Sequence, residues 1–141
     1  MFNVMATITK FEEIKAWQAA RELCKQIHLI LVNMELSKDY KTRDQINAAS
    51  GSIMDNIAEG FGRGGNAEFI QFLEIANGSA NEVQSQLYRI LDKQYIDQAT
   101  FDRLYGLAEE VKAKILAFIK YLKTSELTGP KYKERPSKQG L

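Results

Sequence analysis

Proline is absent from the first 129 residues of this 141-residue chain, and apolar residues recur there every three or four positions almost without a break. An uninterrupted 3.6-residue periodicity is the signature of amphipathic helices, and no strand-like alternation competes with it. Four stripes can be followed. The first runs through Phe11, Ile14, Trp17, Ala20, Cys24, Ile27, Leu31 and Met34. The second uses Ile46, Ala49, Ile53, Ile57 and Phe61. A third takes Phe69, Phe72 or Leu73, Ala76, Ala80, Val83, Leu87 and Leu91. The fourth takes Phe101, Leu104, Ala108, Val111, Ile115, Phe118 or Ile119, and Leu122.

Terminus signals divide the stripes into helices expected near 10–34, 43–63, 67–92 and 98–124. Thr9 with Glu12, and Thr42 with Gln45, have the Ser/Thr-x-x-Glu/Gln spacing of a capping box. Asn66 and Asp97 stand where side-chain N-caps belong. Gly64-Gly65 forms a stop signal, and the stretch 35–41 reads as a polar linker. Helices of these lengths span roughly 30–40 Å, similar enough to lie side by side. Connections of about eight, three and five residues leave no room for a long crossover, so neighbours alternate in direction. The expected fold is all-α, an antiparallel up-down-up-down four-helix bundle over residues 1–124. From Ser125 onward the character changes. Pro130, Pro136 and four cations (Lys131, Lys133, Arg135, Lys138) mark a flexible basic tail over 125–141.

Composition narrows the chemistry. Nineteen Lys and Arg face 18 Asp and Glu, a net charge of +1, and the tail alone carries +2. A uniformly basic polyanion binder would show a larger excess. The single cysteine, Cys24, excludes an intrachain disulfide framework and any Cys-rich zinc module. The single histidine, His28, excludes a two-histidine zinc helix. A di-metal centre in a helix bundle needs Glu-x-x-His pairs, but Lys25 stands three residues before His28. Cys24 and His28 share a helix face and could begin a soft-metal site, yet nothing in the chain completes it. A structural thiol is the ordinary reading. No cofactor is expected, and an enzyme with a di-metal or Cys–His site ranks third among the functional readings. The first nine residues carry no charge and no cleavage signal, and no apolar run approaches a membrane span. A soluble cytoplasmic protein is the expectation.

The informative stretch is 52–63, Ser-Ile-Met-Asp-Asn-Ile-Ala-Glu-Gly-Phe-Gly-Arg. Ile53, Ile57 and Phe61 share one face, and Ser52, Asn56, Glu59, Gly60 and Arg63 fall on a second. Glycines inside helices, at 51, 60, 78 and 106, each cost about 1 kcal/mol relative to Ala, a cost that fits where another backbone comes close. Such faces suit tight helix contacts with polar partners, inside the bundle or between subunits.

Several strings here closely resemble one bacterial family: Phe11-Glu12-Glu13-Ile14 with Trp17-Gln18, Gln45-Ile46, Asn56-Ile57-Ala58-Glu59-Gly60, Glu68-Phe69-Ile70-Gln71-Phe72-Leu73, and Gly78-Ser79 with Glu82. This is the four-helix bundle family whose founding members are encoded by intervening sequences within 23S rRNA genes. It is related to the accessory variability determinant protein of diversity-generating retroelements. The resemblance spans about residues 8–124. It implies a cytoplasmic bundle that assembles as a homopentamer, and the retroelement relatives bind a reverse transcriptase and nucleic acid. Carried over, it gives Asn56, Glu59, Gly60, Arg63, Gly78, Ser79 and Glu82 structural or interface roles. Relatives often read Arg-Ala-Ala-Val-Ser-Ile-Pro-Ser before the Asn. Here Ala48 replaces the arginine, Met54 the proline and Asp55 the serine, so a straighter second helix is expected.

The leading expectation is a non-enzymatic oligomeric bundle associated with RNA or with a nucleic-acid-handling protein. The alternative is a protein–protein scaffold without nucleic-acid binding. Candidate phosphate contacts are Lys38, Lys41 and Arg43 near the start of the second helix, with Lys131, Lys133, Arg135 and Lys138 in the tail.

Overall fold

The computed structural model describes residues 8–124, and among them every regular element is helical. Among the described residues a 3-10 turn, Phe11–Glu13, precedes five α-helices: α1 Lys15–Leu31, α2 Met34–Lys38, α3 Tyr40–Arg63, α4 Asn66–Asp92 and α5 Gln98–Thr124. The expectations for residues 1–7 and 125–141, including Lys131, Lys133, Arg135 and Lys138, lie outside the described residues.

Helix starts differ from the sequence expectation in three places. The Thr9–Glu12 box does not open α1. The Thr9 backbone N–H donates to Glu13 Oε1 at 2.9 Å, and the chain makes a 3-10 turn before Ile14 adopts an extended conformation as the N-cap. That break lets Ile14 enter the core, 3 % exposed, and sets the Phe11 ring edge-on to Trp17 at 5.1 Å.

The polar linker expected at 35–41 contains a fifth helix, α2. Asn33 caps it, its Oδ1 accepting the N–H groups of Glu35 and Leu36 at 3.0 and 3.2 Å. One fully buried side chain, Leu36, anchors it, so a single apolar residue suffices for a turn too short to show periodicity. Asp39 then caps α3 by accepting the Thr42 N–H, which places Thr42 inside the helix instead of at its cap.

At the third start Gly65 is the N-cap, and Asn66 is already helical. The Asn66 amide is directed across the bundle, donating to the Leu122 carbonyl at 3.5 Å. Asp97 does cap α5, accepting the Thr100 N–H at 2.8 Å.

The link between α3 and α4 is only Gly64-Gly65. Gly64 has φ 88°, the left-handed conformation that ends many helices and suits a residue without Cβ. The two helices return past each other: Gly60 meets Phe69, Ser52 meets Ser79, and Gln45 meets Arg89. The pairs Phe69–Phe118, Gln84–Tyr105 and Tyr88–Phe101 show the same antiparallel sense for α4 and α5. α1 packs against α3 and α5, so each long helix has two long neighbours around a common centre. That centre holds Leu23, Ile27, Ile46, Ile53, Ile57, Phe69, Leu73, Leu87, Leu104 and Ile115, all but excluded from solvent. Every residue expected in the second stripe is buried. In the first stripe Met34 is 69 % exposed, while Leu23 and Ile30 are buried. The reason is that α1 ends at Leu31, and Met34 opens a new helix on a different axis.

Candidate functional site

The residues singled out on α3 and α4 occupy three places along one seam. At its centre, Ser52 Oγ lies 2.9 Å from Ser79 Oγ. Asn56 Nδ2 donates to both the carbonyl and the hydroxyl of Ser52, at 2.8 and 2.9 Å. Asn56 and Ser79 therefore share one polar relay across the α3–α4 contact. Each hydrogen bond in such a relay is worth about 0.5–1.5 kcal/mol net.

Toward the glycine link the seam closes. A Cβ placed on Gly60 would stand 2.7 Å from Phe72 Cβ and 2.8 Å from Phe69 Cδ1, so only glycine fits there. Gly51, Gly78 and Gly106 have open space where a Cβ would go, and no close approach among the described residues explains them. Outside Gly60, Arg63 pairs with Glu59 at 2.9 Å, approaches Glu68 at 3.9 Å and lies over the Phe72 ring at 5.1 Å. This cluster is solvent-facing, and an exposed i,i+4 pair contributes only about 0.3–0.5 kcal/mol.

Glu82 stands away from the Arg63 cluster, in a groove that reaches Ser52 of the relay. It lines an open groove of about 330 Å³ between α3 and α4, together with Gln45, Ala48, Ala49, Ser52 and Gln86. Gln86 is 7 % exposed, and its Oε1 has no hydrogen-bond partner among the described residues. Sequence reasoning passed over Gln86. Its signal was a polar residue three positions after Val83 and next to Leu87, on the inward side of α4.

The candidate cations at the α2–α3 corner separate into two kinds. Arg43 is committed: it bonds Asp44 Oδ1 at 3.0 Å and the Ser37 carbonyl at 3.1 Å, with its guanidinium 4.9 Å from the Tyr40 ring centroid. Lys38 and Lys41 are exposed and make no ion pair among the described residues. Between them Tyr40 is 64 % exposed, an aromatic face that the charge-based reading missed.

Beneath this corner Asp39 gathers partners from α3 and from the turn after α4. Its Oδ2 accepts from Lys93 Nζ at 3.0 Å and from the Tyr95 hydroxyl at 2.9 Å. The Lys93 ammonium, then the Tyr95 hydroxyl, hold the Asp39 carboxyl well below the usual carboxylate range. The same contact raises Tyr95 above the usual phenol range.

On α1, Cys24 is half-buried and donates to the Ser50 carbonyl at 3.2 Å, and burial pushes its thiol up and away from reactivity. His28, one turn on, is exposed. No group of three or more His, Cys, Asp or Glu gathers with metal-binding geometry among the described residues. A further cleft of about 430 Å³ lies where Leu29, Ile30 and Asn33 of the α1 end face 94–97 and Thr100. Leu29 in its lining is 59 % exposed, and Val32 and Met34, close by in sequence, are 64 and 69 % exposed. No helix among the described residues is long and apolar enough to cross a membrane.

Residues 12–117 match the 23S rRNA-intervening sequence protein family. Among solved structures, a protein of unknown function from the S23 ribosomal protein family of Bacteroides thetaiotaomicron VPI-5482 is similar in fold. The TM-score is 0.69 at 24 % identity, over 74 % of this chain and 98 % of that one. A comparison with curated proteins finds no match.

Proposed function

We propose that this chain, which belongs to the 23S rRNA-intervening sequence protein family, works as a non-enzymatic oligomeric bundle in the cytoplasm that holds nucleic acid or a nucleic-acid-handling protein. In this reading the four long helices run up-down-up-down, and we assign the contact surface to the α2–α3 corner at one end. One observation carries this reading: the exposed ring of Tyr40, with Arg43 over one face, is flanked in sequence by the exposed cations Lys38 and Lys41, which make no ion pair among the described residues. Uncommitted lysines supply phosphate contacts, and an exposed ring gives unpaired bases a stacking face worth about 1–3 kcal/mol each. Asp39 and Asp44 nearby offset part of the charge, so one corner binds weakly and several copies together bind usefully. The glycines at 51, 78 and 106 are open within the chain, which supports contacts between copies, and a five-membered ring would have a mass of about 80 kDa.

A fluorescence-anisotropy titration of single-stranded RNA at about 50 mM salt tests the reading. Weak, salt-sensitive and largely sequence-independent binding is expected. It should fall at least about tenfold in a Lys38→Ala, Tyr40→Ala, Lys41→Ala variant, and fall further on removal of residues 125–141. No binding by the full chain overturns it.

The second reading, a protein–protein scaffold, is favoured by a different observation: three apolar side chains close in sequence, Leu29, Val32 and Met34, are exposed, and Leu29 lines the cleft with Ile96. Absence of RNA binding with the oligomer intact leaves that reading standing.

A further inference from the structure

Two large apolar side chains stand exposed well inside the long helices, Ile75 on α4 at 53 % and Leu116 on α5 at 51 %. The helices are antiparallel neighbours. Phe69 meets Phe118 and Tyr88 meets Tyr105, so Leu116 stands level with the α4 turn that holds Glu74 and Ile75. Gly78, one turn further along α4, is exposed, and a Cβ there would meet nothing. Charge is sorted between the same two helices. From Asn66 to Tyr88, α4 carries Glu68, Glu74 and Glu82 and no cation. From Val111 to Thr124, α5 carries Lys112, Lys114, Lys120 and Lys123 and no acid. Lys112 and Lys114 pair with acids of their own helix, and Glu68 approaches Arg63. Glu74 and Lys120 are exposed and make no ion pair among the described residues.

A second copy of the chain satisfies both features. Gln71, Glu74, Ile75 and Gly78 have the i, i+3, i+4, i+7 spacing of a hole that receives one side chain from a facing helix. Ile75 gives this hole an apolar wall, and Gly78 leaves it deep. A cyclic assembly whose axis runs along the bundle keeps every residue at the same height from copy to copy. When α5 of a second copy lies on α4, Leu116 therefore arrives at the hole. Because the two helices run in opposite directions, Lys120, one turn nearer the end of α5, falls toward the start of α4, within reach of Glu74.

We infer that the outer face of α4 is the seat of α5 from a second copy, with Leu116 in the hole at Ile75 and Gly78, and Lys120 paired with Glu74. Each chain offers its own α5 in turn, so the contact repeats until the assembly closes. This contact presupposes the oligomer proposed above and is independent of nucleic acid.

Light scattering of the full chain over a range of concentrations tests it. Leu116→Lys and Gly78→Leu should each raise the dissociation constant at least about tenfold, with helicity by circular dichroism unchanged. Glu74→Lys and Lys120→Glu should each do the same by setting like charges together, and the two combined should restore the parent mass. An oligomer whose mass ignores Leu116→Lys and Gly78→Leu, or charge reversals that the double variant does not rescue, overturns the inference and leaves the oligomeric reading standing. A full chain that is monomeric at every concentration overturns both.

Discussion

Lys93 Nζ stands 3.0 Å from Asp39 Oδ2 although 54 residues separate them, and the contact joins the start of α3 to the turn that ends α4. Tyr95 and Thr42 complete the knot: the Tyr95 hydroxyl donates to the same carboxylate, and the Lys93 ammonium also donates to Thr42 Oγ1. An ionised carboxylate is therefore part of how the two helices meet.

Acid should loosen this joint. The Asp39 carboxyl is depressed in the fold by Lys93 and Tyr95, and Asp97 is lowered by its Thr100 contact. Groups lowered in the fold add stability above the unfolded carboxyl value, about 3.9, and lose it as pH falls below that value. Thermal melts from pH 7 to pH 2 should show a falling midpoint below about pH 4. Asp39→Asn should melt lower than the parent at pH 7 and show a shallower acid slope. Identical slopes would contradict the role given to Asp39.

Gly60 and Gly78 should respond oppositely to alanine. Gly60→Ala drives a Cβ into Phe72 and Phe69, and overpacking of this kind costs about 1–3 kcal/mol. Gly78→Ala meets open space and should gain up to about 1 kcal/mol from helix propensity. Urea denaturation reads both changes. If Gly78→Ala instead lowers the oligomer mass, Gly78 lies between copies.

Gln94 carries φ 64°, the left-handed conformation, at the end of α4. Around it the Tyr95 N–H donates to the Ile90 carbonyl and the Gln94 N–H to the Leu91 carbonyl, the Schellman arrangement in which glycine is preferred. Gln94→Gly should stabilise the protein by about 0.5–1 kcal/mol without changing RNA binding. A loss of stability would mean that the Gln94 side chain contributes more than its backbone strain.

The seam relay predicts an order of costs. Ser79→Ala leaves Ser52 Oγ still bonded to Asn56 and should cost about 1 kcal/mol. Ser52→Ala removes a partner from Ser79 and Asn56 together, and should cost more, about 1–2 kcal/mol. Chemical denaturation of the two variants would refute the relay if the order were reversed.

The fold was legible where burial repeats along a helix and illegible where a single contact decides. Ile46, Ala49, Ile53, Ile57 and Phe61 mark the buried side of α3 by spacing alone, and Asp97 is the cap its position suggests. α2 was invisible because Leu36 is its only buried residue and Asn33 its only cap. Thr42 and Asn66 mimic caps in sequence, but Asp39 and Gly65 precede them, and a cap depends on backbone geometry that spacing does not encode. At the candidate surfaces, Asn56, Gly60 and Ser79 come together in one seam, whereas Glu82 stands in a groove whose other acceptor, Gln86, depends on tertiary packing.

The two-residue link at Gly64-Gly65 also bears on the order of assembly in time. Contacts between α3 and α4 near the link close over a handful of residues, so the entropy lost in forming them is small. Docking α1 against α5, as in the Arg103–Gln26 contact, has to close 77 residues of chain. The α3–α4 hairpin is therefore expected to form early and present a half-built apolar wall, which α1 reaches across 26 residues at Cys24–Ser50 before its contact with α5 closes.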